Sequence, residues 1–246
     1  MRKFLLFLST HCKACDFLKA SLFTFLGLAV LITSCAKLAE VELGQAGYNY
    51  FPLEPGRYTL YDLTDITYSL TAPAVTEHYQ IKEVVKESYT DQTGVENYRI
   101  ERFIRPKAGD AWALDSVWSA RRSTTQALRL ENNIHFVKLV FPVKEGIKWN
   151  GNVFNDRREE EYRLKSVSKP FVLDGQPFGE TLTVQQSADS SLVGQDKRLE
   201  VYARNIGLIY KEKVVVQYCS ASDCLGQGRI DFGTKRFQKI IGYGNE

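Results

Sequence analysis

From residue 78 onward the chain alternates between polar and apolar positions. Tyr79, Ile81 and Val85 fall between His78, Gln80, Lys82 and Lys86, the two-residue period of a half-buried strand. After a turn at Thr93-Gly94 the period returns, with Tyr98, Ile100 and Ile104 set against Asn97, Arg99, Glu101 and Arg105. Trp112, Leu114 and Trp118 make the next apolar stripe. Residues 128–130 and 134–141 read as two strands joined at Asn132-Asn133, a residue pair that tolerates left-handed dihedrals. In 159–165 one face is all charged (Glu159, Glu161, Arg163, Lys165), and the other presents Glu160, Tyr162 and Leu164. Segments 199–204 and 208–218 meet at Asn205-Ile206-Gly207, and 236–243 supplies a last strand.

No window after residue 47 holds a helical period over three turns. The nearest, 187–197, is polar and reads as a long loop. The pattern predicts about ten antiparallel strands in about 200 residues, without a linker or an internal repeat. That describes one all-β domain over 48–246: a single antiparallel β-barrel or half-barrel, with a two-sheet sandwich as the alternative. The inward candidates include many rings: Tyr79, Tyr98, Trp112, Trp118, Phe141, Tyr162, Tyr210 and Tyr218. Such rings fill a core or line a pocket. A barrel encloses a cavity more readily than a sandwich, whose inner faces pack on each other.

The first 47 residues have a different character. Residues 20–32 are apolar or small, too short a run for a hydrocarbon core that needs about 20 residues but suited to a cleaved signal. Arg2, Lys3, Lys13 and Lys19 precede it, and Ile32-Thr33-Ser34-Cys35 follows. This resembles a bacterial lipoprotein signal peptide with its lipobox, which implies cleavage after residue 34 and an acyl (palmitate-type) anchor on Cys35. Residues 35–47 then read as the lipidated terminus and tether. Ala36-Lys37 lacks the Asp that retains enteric lipoproteins in the inner membrane, and Glu40 and Glu42 alone make a weak acidic run. The resemblance therefore points to the outer membrane, on its periplasmic face.

Processing changes the charge balance. Of 32 basic and 29 acidic residues, four and one lie in 1–34, which leaves 28 of each. The pI near 8.5 mostly describes the discarded peptide. No basic footprint for nucleic acid survives; 144–148 and Arg121-Arg122 read as solvated strand ends. The cysteines divide likewise, since Cys12 and Cys15 fall in the signal. Cys219 and Cys224, separated by Ser220-Ala221-Ser222-Asp223, suit a structural disulfide in a hairpin loop. Closing so small a loop contributes about 2 kcal/mol.

At Tyr50-Phe51-Pro52-Leu53-Glu54-Pro55-Gly56, followed by Tyr58 and Tyr61, the chain resembles the opening of uncharacterised envelope lipoproteins of Bacteroidota. Thr59 stands where those sequences usually carry tryptophan. Gly146-Ile147-Lys148-Trp149-Asn150-Gly151-Asn152 and Asn205-Ile206-Gly207-Leu208-Ile209 are similar in style. The resemblance implies an envelope β-protein and assigns no catalytic residue.

Candidate chemistry is sparse. There is no G-x-S-x-G, no H-E-x-x-H, no phosphate-cradling loop and no calcium loop, so no catalytic residue, cofactor or metal is expected. His78 lies on a polar strand face. His135 is in phase with Val137, Leu139 and Phe141, which suits a buried or rim histidine. The expected function is a membrane-anchored, non-catalytic binding module for an apolar or glycan ligand or an envelope protein. Its binding candidates are Trp112, Trp118, His135 and Trp149. The alternatives are an envelope hydrolase assembled only in the fold, or a purely structural lipoprotein.

Overall fold

The structure, a computed structural model, describes residues 46–246. Cys12, Cys15, Cys35, the apolar segment and nearly all of the tether lie outside the described residues. A short 3-10 turn, Tyr48–Tyr50, leads into twelve strands: β1 Arg57–Tyr68, β2 Val75–Thr90, β3 Glu96–Arg105, β4 Ala113–Arg122, β5 Gln126–Glu131, β6 Ile134–Val140, β7 Lys148–Asn150, β8 Glu161–Leu173, β9 Gln176–Ser190, β10 Gly194–Ala203, β11 Gly207–Tyr218 and β12 Ile230–Asn245.

All twelve strands are antiparallel in one sheet, in the order β6-β5-β4-β3-β2-β1-β12-β11-β10-β9-β8-β7. The first strand therefore pairs with the last at the middle of the sheet, and a six-strand meander runs outward on each side. Curling brings the free edges together. The Val137 amide donates to the Gly151 carbonyl (3.0 Å), and the Trp149 indole N–H donates to the Val137 carbonyl (2.9 Å). The Asn155 amide adds a bond to the His135 carbonyl at 2.7 Å. The result is a nearly closed barrel, which leaves little of either edge unpaired.

The turns follow from residue chemistry. Asn132 and Asn133 both take positive φ (51° and 64°), as do Asp174 and Gly175 (47° and 88°), the twist that two-residue hairpins require. At 187–197 the structure replaces the expected loop with the β9–β10 hairpin, turning at 191–193. Those strands read as polar because their faces carry bonded side chains: Ser187 donates to the Asp196 carbonyl, and Arg198 grips the Asp196 carboxylate.

Bulges explain two further departures. A register shift in the β3–β4 ladder sets Arg102 opposite Ser116 and Phe103 opposite Leu114, so the stripe through Trp112, Leu114 and Trp118 breaks and Leu114 is 58% exposed. Another shift in the β5–β6 ladder pairs Leu128 with Val137 and Ala127 with Leu139, which leaves Lys138 as the extra residue. That extra residue takes His135 out of phase with Leu139, and His135 is exposed rather than buried.

The interior beside Tyr48–Tyr50 is apolar. Tyr50, Phe51 and Leu53 pack with Ile100, Leu139, Tyr162, Leu182 and Tyr202. Arg122, the exposed last residue of β4, also donates from its guanidinium to the Tyr48 and Phe51 carbonyls, both at 2.8 Å, and pins this segment to the barrel. The Tyr162 ring lies over Gly151, where a Cβ would come within 2.3 Å of its Cε2. Gly151→Ala is accordingly expected to destabilise the domain by about 1–3 kcal/mol, read as a lower denaturation midpoint with unchanged slope. An unchanged midpoint would show that the ring moves aside freely.

The opposite face of β2–β3 carries Gln80, Lys82, Glu101 and Arg105. It lacks the uninterrupted outward apolar band of a membrane-spanning barrel. Among the described residues no helix is long and apolar enough to cross a membrane.

Candidate functional site: a buried ionic belt beside a polar cavity

Residues directly opposite in antiparallel ladders share a sheet face. One such row runs Glu200, Lys211, Gln238, Leu63, Tyr79 across β10, β11, β12, β1 and β2. A second pairs Glu83 with Arg102 on β2 and β3. Both rows face inward, so charged side chains from opposite walls meet inside the barrel.

They form a continuous belt. Glu83 accepts from the Arg102 Nε at 3.0 Å and from the Arg129 guanidinium. Lys138 reaches Glu131 Oε1 at 3.2 Å and Glu200 Oε1 at 2.6 Å. Lys211 reaches Glu200 Oε1 at 3.1 Å, and the Tyr202 hydroxyl donates to Glu200 Oε2 at 2.6 Å. Arg102 also bonds Asp115 at 3.1 Å and stacks on the Trp118 ring, 3.8 Å from its centre. Arg129 flanks the same ring at 4.9 Å. Glu83, Lys138 and Glu200 are buried, Glu200 completely. The β6 bulge is what delivers Lys138 to this position, because the extra residue re-aims its side chain.

Burial alone would neutralise these groups, and pairing prevents it. Burial opposes ionisation of Glu200, but the ammonium groups of Lys138 and Lys211 outweigh it and hold the carboxyl down to about 2. Glu131 is lowered for the same balance of reasons. Glu83 is lowered by Arg129 and Arg102 against its own desolvation. Lys138 loses to burial but gains more from Glu131 and Glu200, so its ammonium is raised. Glu83, Glu131 and Glu200 are thus held in their charged forms near neutrality. None is poised to exchange a proton at pH 7, as a general acid or base must. His78 and His135, the two histidines of the described residues, are both exposed, and His78 Nδ1 is bonded to Thr64 Oγ1 at 3.1 Å. Among the described residues no group of His, Cys, Asp or Glu is placed to hold a metal ion.

On the side of the belt away from Tyr50 lies a cavity of about 280 Å³. Its walls include Tyr79, Arg102, Asp115, Trp118, Glu131, Asn132, Lys211, Arg236 and Gln238. On the Tyr50 side only about 70 Å³ is open, lined chiefly by Phe51, Leu53, Ile100 and Leu208 with Tyr61 and Tyr202. Two grooves of about 340 and 380 Å³ lie elsewhere. In the first Glu180 pairs with Arg204, and in the second Asp174 pairs with Lys239.

The four aromatic and histidine candidates are not brought together. Trp118 lines the polar cavity, with its indole N–H on Asn132 Oδ1 at 3.3 Å. Trp149 is spent on closing the barrel, 6.0 Å from Tyr162 in an edge-to-face pair. Trp112 is half-buried beneath Arg105, 4.3 Å away. His135 is exposed. The strand periods alone do not disclose the belt, although the sequence carries a signal of it. Glu83 interrupts the stripe Tyr79, Ile81, Val85, and Arg102 interrupts Ile100, Ile104. Opposite charges inside apolar stripes of neighbouring strands are the mark of a buried pair.

Cys219 and Cys224 are joined by a disulfide with Cα atoms 5.8 Å apart. They do not face each other across a hairpin, because the Cys219 amide pairs with the Arg229 carbonyl while Cys224 sits on a turn bonded to Ala221. The bond closes a loop at the end of β11, away from the belt.

No protein-family model matches the chain, and no curated protein matches it in sequence. In fold it is similar to the crystal structure of a "putative lipoprotein" from Parabacteroides distasonis ATCC 8503, at 10% identity and a TM-score of 0.35, covering 79% of this chain and 98% of that one.

Proposed function

We propose that this protein is a lipid-anchored component of the cell envelope, tethered through Cys35 to the periplasmic face of the outer membrane, and that its barrel interior binds a small hydrophilic ligand without catalysis. The observation that carries the reading is the cavity of about 280 Å³ walled by side chains already fixed in place by the ionic belt. Ligand pockets start at about 300 Å³, so the space suits a molecule of monosaccharide or amino-acid size. Among the ligand classes that the sequence suggests, the walls favour the polar one. Asn132 and Gln238 offer both donors and acceptors, Asp115 and Glu131 accept, and Tyr79 and Trp118 supply ring surface. An acyl chain finds only about 70 Å³ on the apolar side. Preorganisation supports binding further, because walls locked by ion pairs lose little freedom when a ligand arrives.

The test is native mass spectrometry of the protein extracted from its own membranes in mild detergent. A reproducible adduct of a few hundred daltons, water-soluble and released by denaturation, is the expected result. A bare mass, or an adduct that extracts as a fatty acid, would sink the proposal.

A further inference from the structure

Two residues along each strand from the Glu200–Lys211–Gln238 row, on the same face, stand Arg198, Lys213 and Arg236. Arg198 is directly opposite Lys213, and Lys213 is directly opposite Arg236. Three cations in register across three neighbouring strands repel one another, and like charges so placed destabilise a sheet. The two outer members are neutralised within the protein. Arg198 is gripped by Asp196 (2.7 and 3.0 Å) and by both oxygens of Glu160 (3.0 Å each). Arg236 makes a two-pronged pair with Asp65, at 2.6 Å on each prong.

Lys213 has no such partner. Among the described residues it forms no ion pair and no hydrogen bond, and it is set beside Arg198, Lys211, Arg236 and Arg157. Arg157 belongs to the segment between β7 and β8, so one of these cations comes from outside the strands that carry the row. Lys213 is exposed to solvent, and the desolvation that remains, with these four cations, lowers its ammonium from its ordinary value. Arg236 and Lys211 also line the polar cavity, which places Lys213 at its margin.

We infer that Lys213, between Arg198 and Arg236, seats an anionic oxygen group, a carboxylate or a phosphate, carried by the ligand of the polar cavity. This rests on the reading of that cavity as a ligand chamber and narrows the ligand to an acidic one. An anion here would turn a repulsive row into an attractive one, with Lys213 free to give all three ammonium protons to it. Arg198 and Arg236, already oriented by their carboxylates, hold the flanks without being consumed. Among the described residues, Lys213 is the one member of this row that no carboxylate pairs.

The experiment compares thermal unfolding of the wild-type protein, Lys213→Met and Lys165→Met, where Lys165 is an exposed lysine on β8. Each is titrated with sodium phosphate and, separately, with glucuronate, against sodium chloride at matched ionic strength. The wild type is expected to gain Tm saturably with at least one of the two anions, and the responding probe names the acidic group. Lys213→Met is expected to begin with a higher Tm in chloride, since a repulsive contact is gone, and to lose the saturable gain. Lys165→Met should follow the wild type. Equal gains in Lys213→Met and the wild type, no saturable gain in the wild type, or a lower starting Tm for Lys213→Met would each overturn the inference. The two proposals fail separately. A neutral endogenous ligand with no response to either anion would remove the seat and leave the chamber. A Lys213-dependent response with no endogenous adduct would remove the chamber and leave the seat.

Discussion

Glu200→Ala is expected to destabilise the barrel by about 3–5 kcal/mol, the cost of leaving a buried charge without its partner. Glu200 is fully buried and accepts from Lys138, Lys211 and the Tyr202 hydroxyl. Removing it leaves Lys138, itself 4% exposed, to Glu131 alone. For a domain of this size the loss corresponds to a fall in Tm of about 10 °C. The double change Glu200→Met with Lys138→Met removes both charges and fills the space with apolar atoms. It is expected to recover most of the loss, since replacing a whole buried pair is often neutral. Thermal and denaturant melts of the two variants check this, and a double variant no better than Glu200→Ala would show that the belt is not organised around this pair.

Acid is expected to unfold the protein through the same groups. Glu83, Glu131 and Glu200 each have a carboxyl lowered from the ordinary 4.5, Glu200 to about 2. A lowered carboxyl contributes stability that is fully present above 4.5 and is lost as pH falls through its folded value. Unfolding free energy should therefore be level from about pH 5 to neutrality and drop between 4.5 and 2. Each group adds up to about 1.4 kcal/mol per pH unit where it titrates. Lys138 works in the opposite sense: its raised ammonium stabilises below 10.5 and stops doing so as pH rises further. Urea midpoints from pH 2 to 7 measure the acid limb. In Glu200→Gln the limb should be shallower and start from a lower plateau, and a limb as steep as the wild type's would contradict the assignment.

The strand periods foretold a great deal of this molecule, because alternation survives wherever a ladder is regular. β2, β3, β5, β6 and β11 lie where the apolar stripes and turn residues place them, β10 does so from residue 199 onward, and Asn132-Asn133 and Asn205-Ile206-Gly207 do turn the chain. The single sheet of twelve strands agrees with the barrel expectation and exceeds its count of about ten. Legibility fails at bulges, where one extra residue changes which face the following side chains occupy. An uninterrupted period would put Leu114 on the face of Trp118 and His135 on the face of Leu139, and the bulges leave both exposed. It fails also where charge lies inside. Glu131, Glu200 and Lys211 look like ordinary polar positions until their partners on distant strands are known. The Lys138–Glu200 pair spans 62 residues of sequence and joins β6 to β10. The functional reading turned on the same point, since rings suggested an aromatic pocket whereas only Trp118 and Tyr79 border the polar cavity.

The most direct measurement is a high-resolution crystal structure of the protein purified from its own envelope and never unfolded. The account predicts continuous density, distinct from water, filling the space between Trp118, Lys211 and Gln238 and reaching to Lys213. Separate waters hydrogen-bonded to the belt, with nothing else in the cavity, would contradict it, and so would density confined to the apolar side beside Phe51 and Leu53.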